Sequence, residues 1–212
     1  MDGNWYERHL LPHLIDCACG LGHVMKARAA IVPRARGRVL EIGIGTGLNL
    51  AFYVPGRVSH ISGVDPVAAM HPKALRRAAH CAVPVTMLPL ELGEIGAPAA
   101  AFDSIVCTFT LCTIPDAVGA LAEMRRVLRP GGELLFCEHA LAPDPGVRRW
   151  QDRLTPWWKP LAGGCHLNRD TPALLRAGGF RITELDSGYL PGPRPLSYVH
   201  SGVAVHSALP AC

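Results

Sequence analysis

Short apolar runs rich in β-branched residues alternate with helix-periodic segments through the middle of the chain. Runs of this length are typical of buried parallel strands joined by helical crossovers. The alternation predicts an α/β fold, in which helices cover both faces of a mostly parallel sheet. The predicted strands are residues 38–42, 60–64, 83–88, 104–108 and 133–137, and the predicted helices between them are residues 48–53, 67–80 and 116–128.

The start of the chain has a helical pattern of its own. Apolar residues recur at helical spacing over residues 4–31, and Pro12 interrupts that stretch. Because proline is not tolerated in a helix interior, we expect two helical pieces, residues 4–10 and 13–31.

The last third of the chain loses this regularity. Residues 141–170 combine several prolines with three tryptophans and little periodicity, which predicts an irregular insertion or a broken helix over the site. We interpret Trp150, Trp157 and Trp158 as a lid over an apolar pocket or as local packing rather than as a cation cage. The chain then continues with a predicted helix at residues 171–177 and two antiparallel strands at residues 180–185 and 198–206.

Composition suits one globular domain with a full core, since 49% of the 212 residues are hydrophobic and 18% are charged. The net charge is +4, and basic residues gather at residues 26–38 and 148–159. Both basic clusters are either solvated faces or weak attractors of an anionic membrane surface or an acidic substrate. Because no basic run is interleaved with aromatic residues, we expect no nucleic-acid partner.

None of the eight cysteines forms the C-x-x-C spacing of zinc or redox sites. Most lie in apolar runs, where Cys acts as a small hydrophobe, so we predict no metal site and a reducing, cytoplasmic location. The first residues lack the basic and apolar regions of a signal peptide, and no uncharged apolar stretch of about 18 residues could span a membrane. We expect at most a peripheral contact with the inner face of a membrane.

The first predicted strand runs into a glycine-rich turn, Glu41-x-Gly43-x-Gly45-x-Gly47. The turn lacks the Gly-Lys-Ser/Thr of a P-loop, and Leu48 stands where a dinucleotide fingerprint has its last glycine. Its place between a strand and a helix puts it at the carboxyl edge of the sheet, where open α/β folds bind ligands. Such glycine spacing also occurs in turns that bind nothing.

Two carboxylates narrow the ligand class. Asp65 ends the second predicted strand, where a carboxylate can accept two hydrogen bonds from a ribose diol. Glu41 adds negative charge before the turn, which would repel a pyrophosphate but suits a ligand with a cationic centre or an amino group. The pattern therefore favours a ribose-containing ligand that carries positive charge.

Over about residues 37–140 the chain resembles the class I S-adenosylmethionine-dependent methyltransferases. The resemblance is carried in order by "VLEIGIGTGLNL", Asp65, "AFDSIVCTFTLCTIPDA" and "RVLRPGGELLFCEH". Within that superfamily the chain is similar to the ubiquinone/menaquinone-biosynthesis type. It is closer still to small phospholipid N-methyltransferases and membrane-associated thiol methyltransferases, which "NWYERHLLPHLID" and "GGCHLNRDT" resemble.

This resemblance implies a single Rossmann-like domain over residues 1–212, with a seven-stranded, mostly parallel sheet. The expected strand order is 3-2-1-4-5-7-6, with the last strand antiparallel. The expected parts are an N-terminal helical lid (residues 1–33), a cofactor-binding core (34–140), a Trp/Pro-rich insertion (141–170) and a C-terminal helix with two strands (171–208).

The resemblance also implies S-adenosylmethionine as cofactor. The backbone of residues 43–47, with Gly43, Gly45 and Gly47, would contact the methionine moiety, and Glu41 would lie near its amino group. Asp65 would bind the ribose hydroxyls.

The remaining cofactor contacts follow the second and fourth strands. Pro66 and residues 92–95 would flank the adenine, and Glu94 is the best match to an acid beside the adenine amino group. The position of the family's usual aspartate is apolar here. Thr108 would begin the methyl-transfer face at residues 108–111.

Methyl transfer from a sulfonium is an in-line displacement. It needs positioning, a partly dry cavity and a neutral amine or a thiolate, and it does not require a metal. Three residues could accept a proton or orient the acceptor: His139 after the fifth strand, His166 in "GGCHLNRD" and Tyr6 in the lid. A histidine bonded to backbone at the rim, or a tyrosine that only packs the lid, is the alternative in each case.

We therefore expect an enzyme that moves a methyl group to a small or amphipathic acceptor, such as an alkyl thiol or a lipid amine. One alternative is an NAD-dependent oxidoreductase, which the missing last glycine and the lack of a Tyr-x-x-x-Lys pair disfavour. The other is a sensor or scaffold that binds S-adenosylmethionine and transfers nothing.

Overall fold

The computed structural model describes residues 5–91 and 93–206 of the chain. Residues 1–4, Leu92 and residues 207–212 lie outside the described residues, and with them the first residues of the expected lid, one position of the expected adenine-flanking stretch and the end of the C-terminal segment. The strands are β1 (Gly37–Ile42), β2 (Val58–Val64), β3 (Val85–Met87), β4 (Leu90–Glu91), β5 (Glu94–Ile95), β6 (Phe102–Thr108), β7 (Leu128–His139), β8 (Phe180–Tyr189) and β9 (Tyr198–His206).

Helices flank these strands, and short 3₁₀ turns cover Val32–Arg34, Leu48–Phe52 and Ala68–Met70. The predicted helix at residues 48–53 is therefore a 3₁₀ turn. The α-helices are α1 (Trp5–His9), α2 (Leu11–Cys19), α3 (Gly22–Ile31), α4 (His71–Ala78), α5 (Ala117–Val127), α6 (Pro145–Leu161), α7 (Thr171–Ala177) and α8 (Arg194–Ser197).

Seven strands form the main sheet, in the order β3-β2-β1-β6-β7-β9-β8. When these seven are numbered alone, the order is the predicted 3-2-1-4-5-7-6. The labels differ because β4 and β5 form a separate antiparallel hairpin that we did not predict. Within the seven-stranded sheet, strand β9 is antiparallel to both β7 and β8, and the other four pairings are parallel. The predicted fold class is confirmed.

The two faces of the sheet bury separate apolar clusters. Val39 of β1 belongs to a cluster with Ile31 of α3, whereas the next residue, Leu40, belongs to a cluster with Leu121 of α5 and Leu175 of α7. Successive side chains of a strand point to opposite faces, so an all-apolar strand requires cover on both. The strands of this sheet appear in the sequence as continuous apolar runs because both of their faces are covered.

The N-terminal segment is divided differently from the prediction. Helix α1 ends at His9, close to the predicted end at residue 10, but Pro12 lies inside the first turn of α2, where its missing N–H costs nothing. The second expected piece, residues 13–31, is itself interrupted, because Gly20 ends α2 and Leu21 has an extended ψ of 141°. Three short helices therefore replace the two predicted ones.

The Trp/Pro-rich segment is more regular than predicted. Helix α6 runs for 17 residues through Pro156 and Pro160. It is anchored by buried Gln151, whose side chain accepts from the Ala142 N–H and donates to the Ala140 carbonyl, both just after β7. Tertiary packing thus overrides the proline signal. Across residues 5–91 and 93–206, no helix combines the length and the apolar character needed to cross a membrane.

Candidate active site

The glycine turn crosses the carboxyl ends of the central strands. Gly43, Gly45 and Gly47 have φ values of 64°, 56° and 83°, which side chains other than glycine adopt rarely. A Cβ at Gly43 would overlap the side chain of Thr110, which follows β6. Both the conformation and the close approach therefore require glycine at this position.

Asp65, directly after β2, is fixed against the same turn. Its Oδ2 accepts from the Gly45 N–H at 2.9 Å, and its Oδ1 accepts from the Val67 N–H at 2.8 Å. Burial raises the pKa of Asp65, while these two backbone hydrogen bonds act in the opposite direction. Each carboxylate oxygen has a further lone pair, so Asp65 can still accept hydrogen bonds from the hydroxyl groups of a ligand.

A cavity of about 1460 Å³ opens beside the turn and Asp65. It exceeds the about 300–1,000 Å³ of a pocket for one small ligand, so it has room for a cofactor together with a second molecule. Most of the predicted cofactor residues line it, namely Gly43, Gly45, Asp65, Pro66, Glu94 and Thr108.

Two predicted cofactor residues, Glu41 and Gly47, do not line the cavity, although they support it. Gly47 begins the 3₁₀ turn. Glu41 is fully buried, and its two oxygens accept from Asn49 Nδ2 at 3.1 Å and from the Tyr53 hydroxyl at 2.8 Å. Burial raises the pKa of Glu41 to about 7. The expected direct or water-mediated contact of Glu41 with the cofactor's amino group stays a prediction.

Arg28 of α3 is a site residue that our sequence reasoning missed. It is only 6% exposed, lines the cavity, and donates from Nη1 to Asn49 Oδ1 and Thr108 Oγ1 at 2.8 and 2.6 Å. Its guanidinium lies 5.1 Å from the ring centroid of Phe109. Arg28 lies on the same buried face of α3 as Val24 and Ile31. A charged residue on an otherwise apolar helix face was the sequence feature that could have indicated a site residue.

Asp16 of α2 connects the lid to the glycine turn and was also missed. Its carboxylate accepts from the Thr46 hydroxyl at 2.6 Å, from Arg77 at 2.8 Å and from Lys73 at 3.2 Å. Partial burial opposes the charged form, but these hydrogen bonds hold the pKa of Asp16 well below its usual range. The lid is therefore held over the turn by a charged cluster.

Of the three predicted catalytic residues, only His139 lines the cavity. The Nδ1 and N–H of His166 both lie against the Cys112 carbonyl, at 3.1 and 2.9 Å, and burial lowers its pKa. The Tyr6 hydroxyl donates to the Leu161 carbonyl at 2.8 Å, at the end of α6. His166 is thus bonded to backbone, and Tyr6 joins the lid to α6. Both contacts agree with the alternative interpretations of these two residues.

The loop after β6 is shaped by Glu138, a fully buried carboxylate near the end of β7. Its oxygens accept from the N–H groups of Thr110 and Cys112 at 3.0 and 3.1 Å and from the Cys107 thiol at 3.4 Å. This loop also holds Phe109 at a φ of 53°. Burial raises the pKa of Glu138, and the backbone donors oppose that effect.

A cluster of Cys112, His139 and Cys165 lies at the far end of the cavity. Cys165 Sγ is 3.5 Å from Cys112 Sγ and 3.5 Å from His139 Nδ1. The contact with Cys112, and the contact with His139, outweigh burial and hold the pKa of Cys165 well below its usual range. Burial opposes the imidazolium form, but Cys165 outweighs it and raises the pKa of His139. In "GGCHLNRD" the side chain that lines the cavity is thus that of Cys165 rather than that of His166.

The tryptophans of α6 do not form a cage. Trp158 lines the cavity, and its indole N–H is buried without a hydrogen-bond partner among the described residues. Trp150 and Trp157 are 55% and 78% exposed.

A doubly wound sheet with a cavity at the carboxyl ends of its strands defines a Rossmann-like nucleotide-binding protein. The family described as "Methyltransferase domain" matches residues 40–136. Human thiol S-methyltransferase TMT1B is 33% identical over 174 residues, which are 79% of this chain and 69% of that protein. The Cereibacter sphaeroides phosphatidylethanolamine N-methyltransferase is 36% identical over 120 residues, which are 56% and 58% of the two chains.

A solved structure supports the same fold. The Burkholderia thailandensis 1,6-didemethyltoxoflavin-N1-methyltransferase, with bound S-adenosylhomocysteine, superposes with a TM-score of 0.68 at 19% identity, over 92% of this chain and 83% of that one. The chain belongs to the class I S-adenosylmethionine-dependent methyltransferases, and the oxidoreductase alternative is wrong. It spans about two thirds or less of the length of these curated relatives.

The residues present fit S-adenosylmethionine. Asp65 would hold the ribose hydroxyls, and the backbone of Gly43 and Gly45 would allow close approach of the methionine moiety. Arg28 lines the cavity, and its Nε is buried with no hydrogen-bond partner among the described residues, so it would meet the cofactor's carboxylate.

Replacing Asp65 should weaken cofactor binding without unfolding the protein. Asp65→Ala removes hydrogen bonds to a charged group, worth about 1–3 kcal/mol, so we expect the Kd for S-adenosylmethionine to rise about 5- to 150-fold by calorimetry. Asp65→Asn, which keeps one backbone contact, should lie between. Asp186→Ala on the exposed edge strand β8 is the control. An unchanged Kd in Asp65→Ala would contradict the assigned ribose contact.

Proposed function

We propose that this chain transfers a methyl group from S-adenosylmethionine to the thiol of a small or amphipathic acceptor. The observation that carries the proposal is the character of the cavity wall around His139. Phe109, His139, Trp158 and Cys165 line the cavity there, and the polar groups of these four side chains are the imidazole, the sulfur and the indole N–H.

The cofactor supplies a methyl group on a positively charged sulfur, and the chain supplies position and a dry surrounding. Asp65 would hold the ribose of the cofactor, and the glycine turn together with Arg28 would hold its methionine end, Arg28 through the carboxylate. The acceptor then has to approach in line from the His139 side, where α3 and α6 exclude water.

A thiol suits this wall better than an amine does. The carboxylates among the described lining residues are Asp65, Glu94, Asp116 and Glu123, and they lie on β2, the β4–β5 hairpin and α5 rather than beside His139. An ammonium group placed at the apolar wall would lose its hydration without an ionic partner. An alkyl thiol enters uncharged, and its proton would pass to the His139 imidazole as the thiol sulfur forms its bond to the methyl carbon. Relatives named for thiol and for lipid-amine methylation support these two acceptor classes.

An amphipathic acceptor would reach the cavity from a membrane surface. Large apolar side chains are exposed on the lid and at the end of α6, including Trp5 at 69% and Trp157 at 78%. The Tyr6–Leu161 hydrogen bond joins these two elements, and Gly163 just beyond lines the cavity. We place the protein in the reducing cytoplasm, in peripheral contact with the inner face of a membrane. Aromatic residues and nearby cations such as Lys159 would support such contact.

The test is transfer of a labelled methyl group from S-adenosylmethionine to a panel of alkyl thiols, amines, quinols and extracted lipids, with and without anionic vesicles. We expect label on a thiol. His139→Ala should lower turnover on the order of 10- to 100-fold through loss of acceptor positioning, with the cofactor Kd unchanged. His80→Ala, at the exposed end of α4, is the matched control.

Other outcomes would overturn the proposal. Label on a lipid amine alone would favour the second acceptor class. Tight cofactor binding with no label on any acceptor would favour the non-catalytic sensor.

A further inference from the structure

Three metal-ligating side chains meet at the end of the cavity, and the methyl-transfer function does not require them. The ligand atoms of Cys112, His139 and Cys165 all lie within 4.8 Å of one another, and two of the three separations are 3.5 Å. Around a tetrahedral Zn²⁺, with bonds of about 2.3 Å to sulfur and 2.0–2.1 Å to nitrogen, ligand atoms are about 3.6–3.8 Å apart. The cluster therefore needs only a small closure between Cys112 and His139.

We infer that Cys112, His139 and Cys165 form a binding site for a soft metal ion, with Zn²⁺ the best match. Two thiols and an imidazole select Zn²⁺ over the oxygen-seeking ions Mg²⁺ and Ca²⁺. This differs from the expectation of no metal site, which rested on the absence of a C-x-x-C spacing. The two cysteines are 53 positions apart, so no local spacing shows them.

The framework around the ligands is already formed. The Cys112 N–H donates to Glu138, and the Cys112 carbonyl accepts from His166. The Cys165 N–H donates to the Ala162 carbonyl. These contacts fix the backbone of both cysteines, and polar partners of this kind are what hold ligands in known metal sites.

The fourth coordination position faces the cavity. His139 and Cys165 both line it, whereas Cys112 lies behind them. Three protein ligands with one open position are the arrangement of catalytic zinc sites, whereas structural sites are closed by four. The ion would therefore be available to a molecule in the cavity.

On metal binding, each of the two thiols loses its proton to solvent, and both sulfurs together with a neutral imidazole bind the ion, so the site is neutral overall. An acceptor thiol that takes the fourth position would also release its proton to solvent and bind as a thiolate. Its sulfur then forms the bond to the methyl carbon, and the electron pair of the broken carbon–sulfur bond stays on the donor sulfur. The thioether product is a weak ligand and leaves. This last use of the site rests on the proposed function.

The experiment uses the whole chain purified in the presence of a non-thiol reductant. Bound zinc is counted by elemental mass spectrometry, and its affinity is measured by competition with a chromophoric chelator. We expect one ion per chain in the wild type and in Cys81→Ser, a control thiol outside the cluster that contacts the Leu50 carbonyl. Cys112→Ser and Cys165→Ser should each lose at least about 100-fold in affinity, since outer-shell changes alone cost 10–100-fold.

Cobalt substitution of the wild type gives a second readout that needs no variant to fold. Thiolate-to-cobalt absorption in the near ultraviolet, with d–d bands of tetrahedral geometry, is expected. Well under one ion per chain, or zinc affinity unchanged in both serine variants, would overturn the inference. So would a Cys112–Cys165 disulfide found by mass spectrometry in the protein as isolated without reductant and without metal.

Failure of this inference and failure of the proposed function give different results. Thiol methylation by a chain free of zinc would overturn only the metal site. A zinc-loaded chain that methylates no thiol would overturn only the proposed function.

Discussion

Glu138→Ala should lower the free energy of unfolding by about 2–4 kcal/mol, the largest effect that we expect from a single substitution. The change leaves the Cys112 N–H and the Cys107 thiol, both buried, and the N–H of half-buried Thr110 without their acceptor. Each buried donor left unpaired costs about 1–3 kcal/mol, and relief of the buried carboxylate's desolvation offsets part of the sum. The melting temperature should fall by on the order of 10 °C.

The control for this substitution lies on the same strand. Glu133→Ala removes a carboxylate that makes only a partly exposed ion pair with Arg36 at 3.4 Å, which is worth at most about 1 kcal/mol. Glu138→Gln, which keeps one acceptor oxygen, should fall between the two alanine variants. If Glu138→Ala melted no lower than Glu133→Ala, the buried carboxylate would not be what holds the loop.

The loop that Glu138 orders is also the floor of the cavity. Phe109 and Thr110 both line it, and Thr110 packs against Gly43 across the glycine turn. Glu138, which is adjacent to the candidate catalytic His139, therefore shapes the cavity by accepting hydrogen bonds from the backbone of this loop. Although Glu138 is adjacent to His139 in "FCEH", its oxygens accept from the Thr110 and Cys112 N–H groups of the loop.

The sequence predicted the fold and the residues of the glycine turn and Asp65 that line the cavity, because those signals are local. Strand periodicity, the positive-φ glycines and the carboxylate at the end of β2 each depend on residues a few positions apart. The N-terminal cap of α5 is also a local contact, since the Asp116 carboxylate accepts from the Gly119 N–H three residues later. The strand order followed from the family resemblance.

Arg28 and the Cys112–Cys165 pair could not be predicted in the same way, because their contacts join distant segments. Arg28 reaches Thr108 across 80 positions, and Cys165 reaches Cys112 across 53. Adjacent side chains point in different directions, so "CH" in the late motif gave no sign that Cys165, and not His166, faces the cavity. Helix α6 forms despite its prolines because tertiary contacts of Gln151 hold it.

Raising the pH should destabilise this protein through Glu41, and Glu41→Gln should remove that effect. Burial raises the pKa of Glu41 to about 7, above the about 4.3 of a glutamate in an unfolded chain. Between those values the folded state holds a proton that the unfolded state has lost. Stability is therefore full at low pH and is lost as the pH rises through the folded pKa. The loss from pH 5 to 8 amounts to about 2–3 kcal/mol.

The measurement is urea unfolding of both proteins from pH 5 to pH 8. The free energy of unfolding of the wild type should fall by about 2–3 kcal/mol more over this range than that of Glu41→Gln, because the amide keeps contacts with Asn49 and Tyr53 but does not titrate. Glu184→Gln is the control, since Arg34 lowers the pKa of that exposed carboxylate and it stays ionised throughout. Parallel curves for wild type and Glu41→Gln would mean that Glu41 is already charged at pH 5. The buried network of Arg28, Asn49 and Thr108 would then carry a glutamate anion beneath the cofactor, and Arg28 would be its counter-ion.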